Sequence, residues 1–350
     1  MSSNLRIAVL FGGNSSEYSI SLLSASSVIQ NLNEDKYDLL PVGITRDGRW
    51  YHYTGPVSAI ADGTWTTHNN NPCTLSPDSS VKSLLVFDND RVKYFPIDVV
   101  FPVLHGKNGE DGTIQGLLAL SGIPYVGCDM TASANCMDKG LTNTLLEAGG
   151  IPQAKFVAFT VDQTADAIAE IEQKLGYPVF VKPAGAGSSI GISKARNHDE
   201  LVESIRLASP HDRKIVVEEN IEGREVECAV MGSLDPEASV VGEIETCNEF
   251  YDYEAKYHKE SKLYIPAQID ETIAGEIRKQ AIKAYKLLGC HGMAQVGFFV
   301  RKSDNAILLN EINTIPDFKN TGMFSKMFAA SGLPYPALLD KLIALAGDRV

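Results

Sequence analysis

No stretch of the 350-residue sequence is apolar for long enough to cross a bilayer, which takes about 20 residues. There is no lysine- or arginine-rich run either. The 31 basic residues face 44 acidic ones, for a formal net charge of −13. That balance excludes the basic face a nucleic-acid duplex or an anionic membrane surface would require, so neither is expected as a partner. Cysteine is sparse. Cys73, Cys128, Cys136, Cys228, Cys247 and Cys290 form no C-x-x-C pair, which argues against a zinc site. In a reducing compartment they read as small buried hydrophobes. The start, Met1-Ser2-Ser3-Asn4-Leu5-Arg6, lacks the apolar region and small-residue cleavage site of a signal peptide and leads into the strand-like Ile7–Phe11, so a cytoplasmic protein is expected. What remains is a composition of 44% hydrophobic and 21% charged residues, ordinary for soluble globular chains, with room for two or three domains.

The first part alternates strand-like and helix-like segments: Arg6–Phe11, a helix over Ser21–Leu32, then strands at Asp38–Gly43 and Asp98–Pro102. Such alternation predicts parallel βαβ units. Between them, about Thr54–Ser80, a stretch rich in Pro, Asn, Ser and Thr reads as a loop excursion. A second unit starts near Asp138, with a helix after Lys139, a strand at Ala154–Phe159, a helix over Thr164–Leu175 and a strand at Pro178–Lys182. A third runs from Lys214 to the end. It opens on the strand Ile215–Glu219 and closes on the strands Ala294–Arg301 and Ala306–Asn310 and a helix over Tyr335–Ala346. The expected division is therefore 1–137, 138–213 and 214–350.

Five segments carry chemistry. In Val179–Gly191 a buried strand delivers Lys182 and then a loop, Pro183-Ala184-Gly185-Ala186-Gly187-Ser188-Ser189, whose backbone N–H groups can close over phosphates. No Gly-Lys-Ser/Thr follows the glycines, so this is not a Walker loop, and an ordinary Gly-Ser turn is an equal alternative. In Leu309–Pro316, strand alternation projects Glu311 and Asn313 to one side, where a carboxylate and an amide oxygen suit Mg²⁺; a solvated edge strand would look similar. Leu10–Glu17 is a strand, a glycine turn and a helix start without G-x-G-x-x-G. Glu17 lies near the top of a parallel strand and is a candidate to hold a substrate ammonium. His105–Gly116 crowds glycines, two acids and a histidine into one loop, more than a plain turn needs. Glu249–Tyr257 alternates aromatics and charges with no apolar period, as a loop folding over a ligand would.

Taken in order, these motifs resemble the D-alanine–D-alanine ligase family of ATP-grasp enzymes, most closely the D-alanine–D-serine ligases of vancomycin-resistance clusters. The resemblance spans nearly the whole chain and includes Gly43-Ile44-Thr45 with Trp50-Tyr51, Ile123–Cys128 and Met137-Asp138-Lys139. It implies an α/β ATP-grasp fold: an N-terminal parallel α/β domain, a small central α+β domain and a C-terminal α+β domain. It also implies a reaction, in which ATP with Mg²⁺ (or Mn²⁺) activates D-alanine as an acyl phosphate and a second D-amino acid attacks it to form a dipeptide for peptidoglycan precursors. In the family pattern Lys139 and Lys182 hold ATP phosphates, and Gly187, Ser188 and Ser189 cover the nucleotide. Glu218, Glu219, Ile221 and Glu225 hold adenine and ribose, with Asn310 beside the nucleotide. Glu311 and Asn313 bind the metal. Glu17 holds the first ammonium, linked to Ser188 and Tyr257; Lys256 lies near the transferred phosphate; His105 lies beside the first substrate. Lys256-Tyr257 is the pairing associated with amine rather than hydroxy-acid acceptors. A homodimer is among the oligomeric states the resemblance leaves open.

The C-terminal third departs from that pattern. Where the family usually has Ala-Arg-Val-Asp, with an arginine for the oxyanion and an aspartate for the metal, this sequence has Ala294-Gln295-Val296-Gly297. Beyond the Glu-x-Asn strand it has Pro316-Asp317-Phe318-Lys319-Asn320-Thr321-Gly322, and no serine in the acceptor position. Gln295 is expected to donate to the oxyanion without an arginine's charge. Asp317 is expected to take over part of the metal's charge neutralisation, and Lys319 to supply positive charge or grip the acceptor carboxylate. Two other readings stay open: an ATP-binding relative that no longer ligates, and a ligase or kinase for an unrelated carboxylate.

Overall fold

The computed structural model describes residues 4–68, 70–187, 190–245, 262–319 and 322–348. The loop Glu249–Tyr257 and the pair Ser188-Ser189 lie outside the described residues, so Lys256, Tyr257, Ser188 and Ser189 receive no structural account.

The first sheet is built on β1 (Leu5–Gly12), α1 (Tyr18–Asn31) and β2 (Tyr37–Ile44), continues through β3 (Trp50–Tyr53), α2 (Val57–Ala61), β4 (Asn70–Leu75), β5 (Ser83–Asp88) and β6 (Arg91–Pro96), and returns in β7 (Val99–Val103), before α3 (Thr113–Ser121) and α4 (Met130–Met137). Its order is β6-β5-β4-β3-β2-β1-β7. Only β2, β1 and β7 run parallel, with Ile7 beside Leu39 and Val99; the others add on antiparallel. Ile7–Phe11 and all of β7 are buried on both faces, as continuous apolar runs in a parallel sheet are. The opposite edge, β6, is mostly exposed and carries Arg91, Lys93 and Pro96, residues that blunt an edge strand. The expected loop over 54–80 is corrected: it contains α2, a 3₁₀ turn at Trp65–Thr67 and β4. Trp65 is wholly buried, donates to the Tyr18 hydroxyl at 2.8 Å and packs edge-on against Phe11.

The central unit has α5 (Lys139–Ala148), β8 (Phe156–Thr160), α6 (Thr164–Lys174), β9 (Val179–Pro183), β10 (Ser193–Ala195), α7 (His198–Ala208) and β11 (Lys214–Glu219). The sheet order is β10-β9-β11-β8, all antiparallel. β11, expected to open the third unit, lies in this sheet, so a division at 213/214 falls inside it. In β9, Val179 and Val181 face the core shared with Ile171, Leu201 and Ile205, which leaves Phe180 and Lys182 on the other face.

The third sheet is formed by β12 (Gly223–Gly232), β13 (Glu237–Glu245), β14 (Lys262–Tyr264), β15 (Gly292–Arg301) and β16 (Ile307–Asn313), in the order β14-β13-β12-β15-β16. Helix α8 (Glu271–Leu287) covers one face, packing Ile277, Ala281 and Tyr285 against Val226, Cys228 and Val296. Helices α9 (Met323–Ala330) and α10 (Tyr335–Gly347) cover the other face and tie it to β1, β7 and α1. The five described cysteines are buried free thiols, as expected. Among the described residues no helix is long and apolar enough to cross a membrane.

Phe318 centres the junction between the first and third sheets. It is wholly buried, edge-on to Phe101 and Phe324 at 5.6 and 5.7 Å, and stacked on Tyr335. Phe318→Ala is expected to destabilise the chain by about 3–5 kcal/mol, read as a lowered denaturation midpoint by tryptophan fluorescence. A loss below about 1 kcal/mol would mean that this junction carries little of the stability.

Candidate active site

A cleft of ≈ 610 Å³ runs between the central and third sheets, lined by Lys139, Lys182, Glu218, Glu219, Ile221, Glu225, Glu227, Asn310 and Glu311, among others. Lys139 opens α5, whose N-cap Asp138 accepts from Leu141 N at 3.0 Å. Its ammonium donates to Ala186 O at 2.7 Å, holding the glycine-rich segment over the helix start. Lys182 and Glu218 sit on adjacent strands at a diagonal position, and Lys182 Nζ lies 2.6 Å from Glu218 Oε2. Both side chains are largely buried, at 13% and 9% exposure, and Glu218 Oε1 also accepts from Asn143 Nδ2 at 2.9 Å. Glu219 uses a carboxylate oxygen to accept from Lys155 N at 2.9 Å. Ile221 lies on the crossing from β11 to β12, and Glu225 on β12.

Asn310 and Glu311 are consecutive yet line the same cleft. Gly297 pairs with Glu311 and Phe298 with Leu309, so Asn310 is the extra residue of a bulge that redirects it. Asn313 falls two residues on, its amide 3.4 Å from Glu311 Oε1, so the two project together as expected. An oxygen pair of this kind fits Mg²⁺, which usually takes one or two protein carboxylates and fills its octahedron with phosphate oxygens and water. Among the described residues no group of three or more His, Cys, Asp and Glu side chains is arranged to hold a metal without such help.

A second, drier cluster lies against the first sheet. Glu17, at the N-cap of α1, is 7% exposed. A Cβ on Gly106 would come within 2.2 Å of Glu17 Oε2 and one on Gly187 within 2.5 Å, so both loops close on this carboxylate only because those positions are glycine. His105 is buried, its Nε2 3.1 Å from Ser24 Oγ, and burial holds the imidazole below its ordinary range despite the nearby carboxylates of Asp317 and Glu17. Glu110, which carried no role in the sequence reading, accepts from Gly106 N at 2.8 Å and from Ile315 N at 3.2 Å, and so bridges the first and third sheets. Burial, followed by the charge of Glu17, pushes its carboxyl up to about 8.

Asp317 and Gln295, two of the changed positions, both have partners within the chain. Asp317 does not line the cleft beside Glu311. Its Oδ1 accepts from Ser24 Oγ at 3.1 Å and Lys319 N at 2.9 Å, and its Oδ2 pairs with Lys319 Nζ at 2.9 Å. The turn at Ile315-Pro316 carries it from the Glu311 strand to α1. Gln295, expected to donate to an oxyanion, gives its Nε2 to Glu227 Oε2 at 2.7 Å, while its Oε1 is buried with no partner among the described residues. Glu227 was also missed in the sequence. Its spacing of two from Glu225 on one strand was the available signal.

Residues 6–128 match the family described as D-ala D-ala ligase N-terminus, and residues 145–344 match D-ala D-ala ligase C-terminus. A D-alanine–D-alanine ligase of Ruminiclostridium cellulolyticum is 46% identical over 362 residues, covering 99% of this chain and 96% of the relative. Among solved structures, the VanG D-Ala:D-Ser ligase from Enterococcus faecalis superposes with a TM-score of 0.91 at 46% identity, over 98% of this chain and 100% of that one. The D-alanine-D-alanine ligase from Coxiella burnetii gives 0.88 at 36% identity, over 99% and 95%. With both family halves matched in order and relatives this similar across their whole length, the chain belongs to the D-alanine–D-alanine ligase family.

Proposed function

We propose that the chain joins the carboxylate of D-alanine to the amine of a second D-amino acid, D-alanine or D-serine, with ATP cleaved to ADP and phosphate. The observation that carries this reading is the continuity of the two compartments. Lys139 binds Ala186 O in the polar cleft, and the next residue, Gly187, packs on the Glu17 carboxylate in the dry cluster. A phosphoryl group held by Lys139 and Lys182 would thus lie near an amino acid held by Glu17.

In this reading Glu218, Glu219, Ile221, Glu225 and Asn310 surround adenine and ribose, and His105 borders the first substrate. Lys256, Tyr257, Ser188 and Ser189 complete the site in the family pattern. Glu311 and Asn313 would hold Mg²⁺ or Mn²⁺, which supplies charge neutralisation at the phosphates when bound. A D-alanine carboxylate oxygen attacks the γ-phosphorus as the bond to ADP breaks. The amine of the second substrate then attacks the acyl carbon, phosphate leaves with the C–O bond electrons, and the amine loses a proton. The site's task is positioning and charge neutralisation. A buried imidazole held neutral beside the first substrate can orient without adding charge.

The test is phosphate release with ATP and Mg²⁺ across D- and L-amino acids and D-lactate, with products identified by mass spectrometry. The expected products are D-alanyl dipeptides with D-alanine or D-serine. Background phosphate release with D-alanine, preference for an L-amino acid, or a dominant D-lactate ester would overturn the proposal. No release together with tight ATP binding would favour a nucleotide binder that has lost ligation, the outcome Gln295 and Gly297 would then explain.

A further inference from the structure

We infer that Glu227 supplies the carboxylate missing at position 297 and is a ligand of the divalent cation that accompanies the nucleotide; this rests on the ligase reading above. Strand β15 lies between β12 and β16, and the register places Glu227, Gly297 and Glu311 in one row across the three strands. Directly paired residues of antiparallel strands share a face, so Glu227 and Glu311 rise from the same side of the sheet. Their backbones are about 10 Å apart, two strand spacings, which two glutamate side chains converging from either side can bridge. All three residues line the cleft that holds Lys139 and Lys182.

Gly297 is what leaves the middle of that row open. A Cβ there would meet Glu311 Cγ at 3.5 Å, ordinary contact distance, so the Glu311 side chain lies over the glycine. From the other side, Glu227 Oε2 reaches the amide of Gln295, the next residue of β15 on the same face. The Glu227 carboxylate thus extends over β15, and the Glu311 side chain leans toward the same glycine.

The two departures at 295 and 297 fit together in charge. An arginine and an aspartate contribute no net charge as a pair, and neither do the glutamine and glycine that stand here. With Glu227 engaged, the negative charge facing the cation is therefore kept. An arginine at 295 would meet Glu227 as an ion pair. Gln295 instead gives it a neutral hydrogen bond that fixes its direction. Asp317 cannot play this part because Ser24 and Lys319 hold it away from the row. Glu227, Glu311 and Asn313 would supply three oxygen donors from three positions on two strands, with phosphate oxygens and water completing a hard-cation shell.

The experiment titrates Mn²⁺ into the full chain with a saturating non-hydrolysable ATP analogue, reading free Mn²⁺ by electron paramagnetic resonance. Analogue affinity without metal is measured in parallel by calorimetry. Glu227→Gln is expected to raise the Mn²⁺ dissociation constant at least tenfold while metal-free analogue affinity changes less than twofold. Adding Gly297→Asp to that variant should restore Mn²⁺ binding, since a Cβ at position 297 meets Glu311 Cγ only at ordinary contact distance. Unchanged Mn²⁺ affinity in a folded Glu227→Gln chain overturns the inference. So does an equal loss in Gln295→Ala that is not additive with Glu227→Gln, because Glu227 would then act only by holding Gln295. An unmodified chain that binds no analogue overturns the ligase reading and this inference with it, whereas loss of the Mn²⁺ difference alone overturns only the assignment of Glu227.

Discussion

Lys182→Ala is expected to weaken binding of a non-hydrolysable ATP analogue by more than a hundredfold. Lys182 is held by Glu218 at 2.6 Å in a cleft wall where both side chains are largely buried. Truncating one partner of a buried, hydrogen-bonded charge pair typically costs about 2–5 kcal/mol, much of it the penalty of the charge left behind. Here the remaining Glu218 carboxylate would keep the Asn143 amide as its described hydrogen-bond partner and would also repel the incoming polyphosphate. A loss of about 3 kcal/mol corresponds to a factor above one hundred. Because Glu218 alone could also weaken the fold, Lys182→Ala should be compared with the double variant carrying Glu218→Gln, which removes the stranded charge. The double variant should recover thermal stability and only part of the affinity. Calorimetric titration decides the matter: equal affinities for the unmodified chain and Lys182→Ala would remove Lys182 from the nucleotide site.

That pair also shows what the sequence could and could not disclose. The alternation Val179-Phe180-Val181-Lys182 is enough to turn Lys182 away from the core, and the structure places it there. Nothing inside Ile215–Glu219 states which sheet it will join. Its pairing with β9 and β8 is a long-range choice, and this choice brings Glu218 to Lys182. β4 was unreadable for a different reason. Asn70-Asn71-Pro72 carries turn residues, and its strand form is imposed by pairing with β3 and β5. Helix α8 did carry a legible signal, with N-cap Asp270 and buried Ala274, Ile277, Ala281 and Ala284 at helical spacing. At the site, adjacency along the chain gave no sign that Asp317, four residues from Asn313, turns toward α1. Adjacency across strands hid Glu227, which stands 70 residues before Gly297 and directly beside it.

D-alanine binding is expected to release a proton near neutral pH, and Glu17→Gln is expected to raise the D-alanine requirement about a hundredfold. In the proposed reading the ammonium of the first substrate sits against Glu17, a carboxylate closed in by Gly106 and Gly187. Removing that charge strands the ammonium in a partly dry site, at about 3 kcal/mol by the same reasoning as for other buried charge pairs. Glu110 reports on the same event. Its carboxyl is pushed up to about 8 by burial and then by the charge of Glu17, so at pH 7 it is mostly protonated. A cation arriving beside Glu110 favours its ionised form and expels that proton. Calorimetry of D-alanine binding at pH 7 in two buffers of different ionisation enthalpy should therefore give different apparent heats, and Glu110→Gln should abolish the difference. The apo protein carries the matching signature in its stability. The native state keeps a proton on Glu110 that the unfolded chain gives up above its ordinary value of 4.5, so this group's contribution is present below that value and is lost as pH rises toward about 8. The slope is at most about 1.4 kcal/mol per pH unit, and it is opposite in sign to that of a salt-bridged carboxylate. Glu110→Gln should flatten it, and the variant should gain on the unmodified chain as pH rises. Identical binding heats in the two buffers, together with parallel stability profiles for the two proteins, would show that Glu110 is ionised throughout, and an unchanged D-alanine requirement in Glu17→Gln would show that the dry cluster is not the ammonium site.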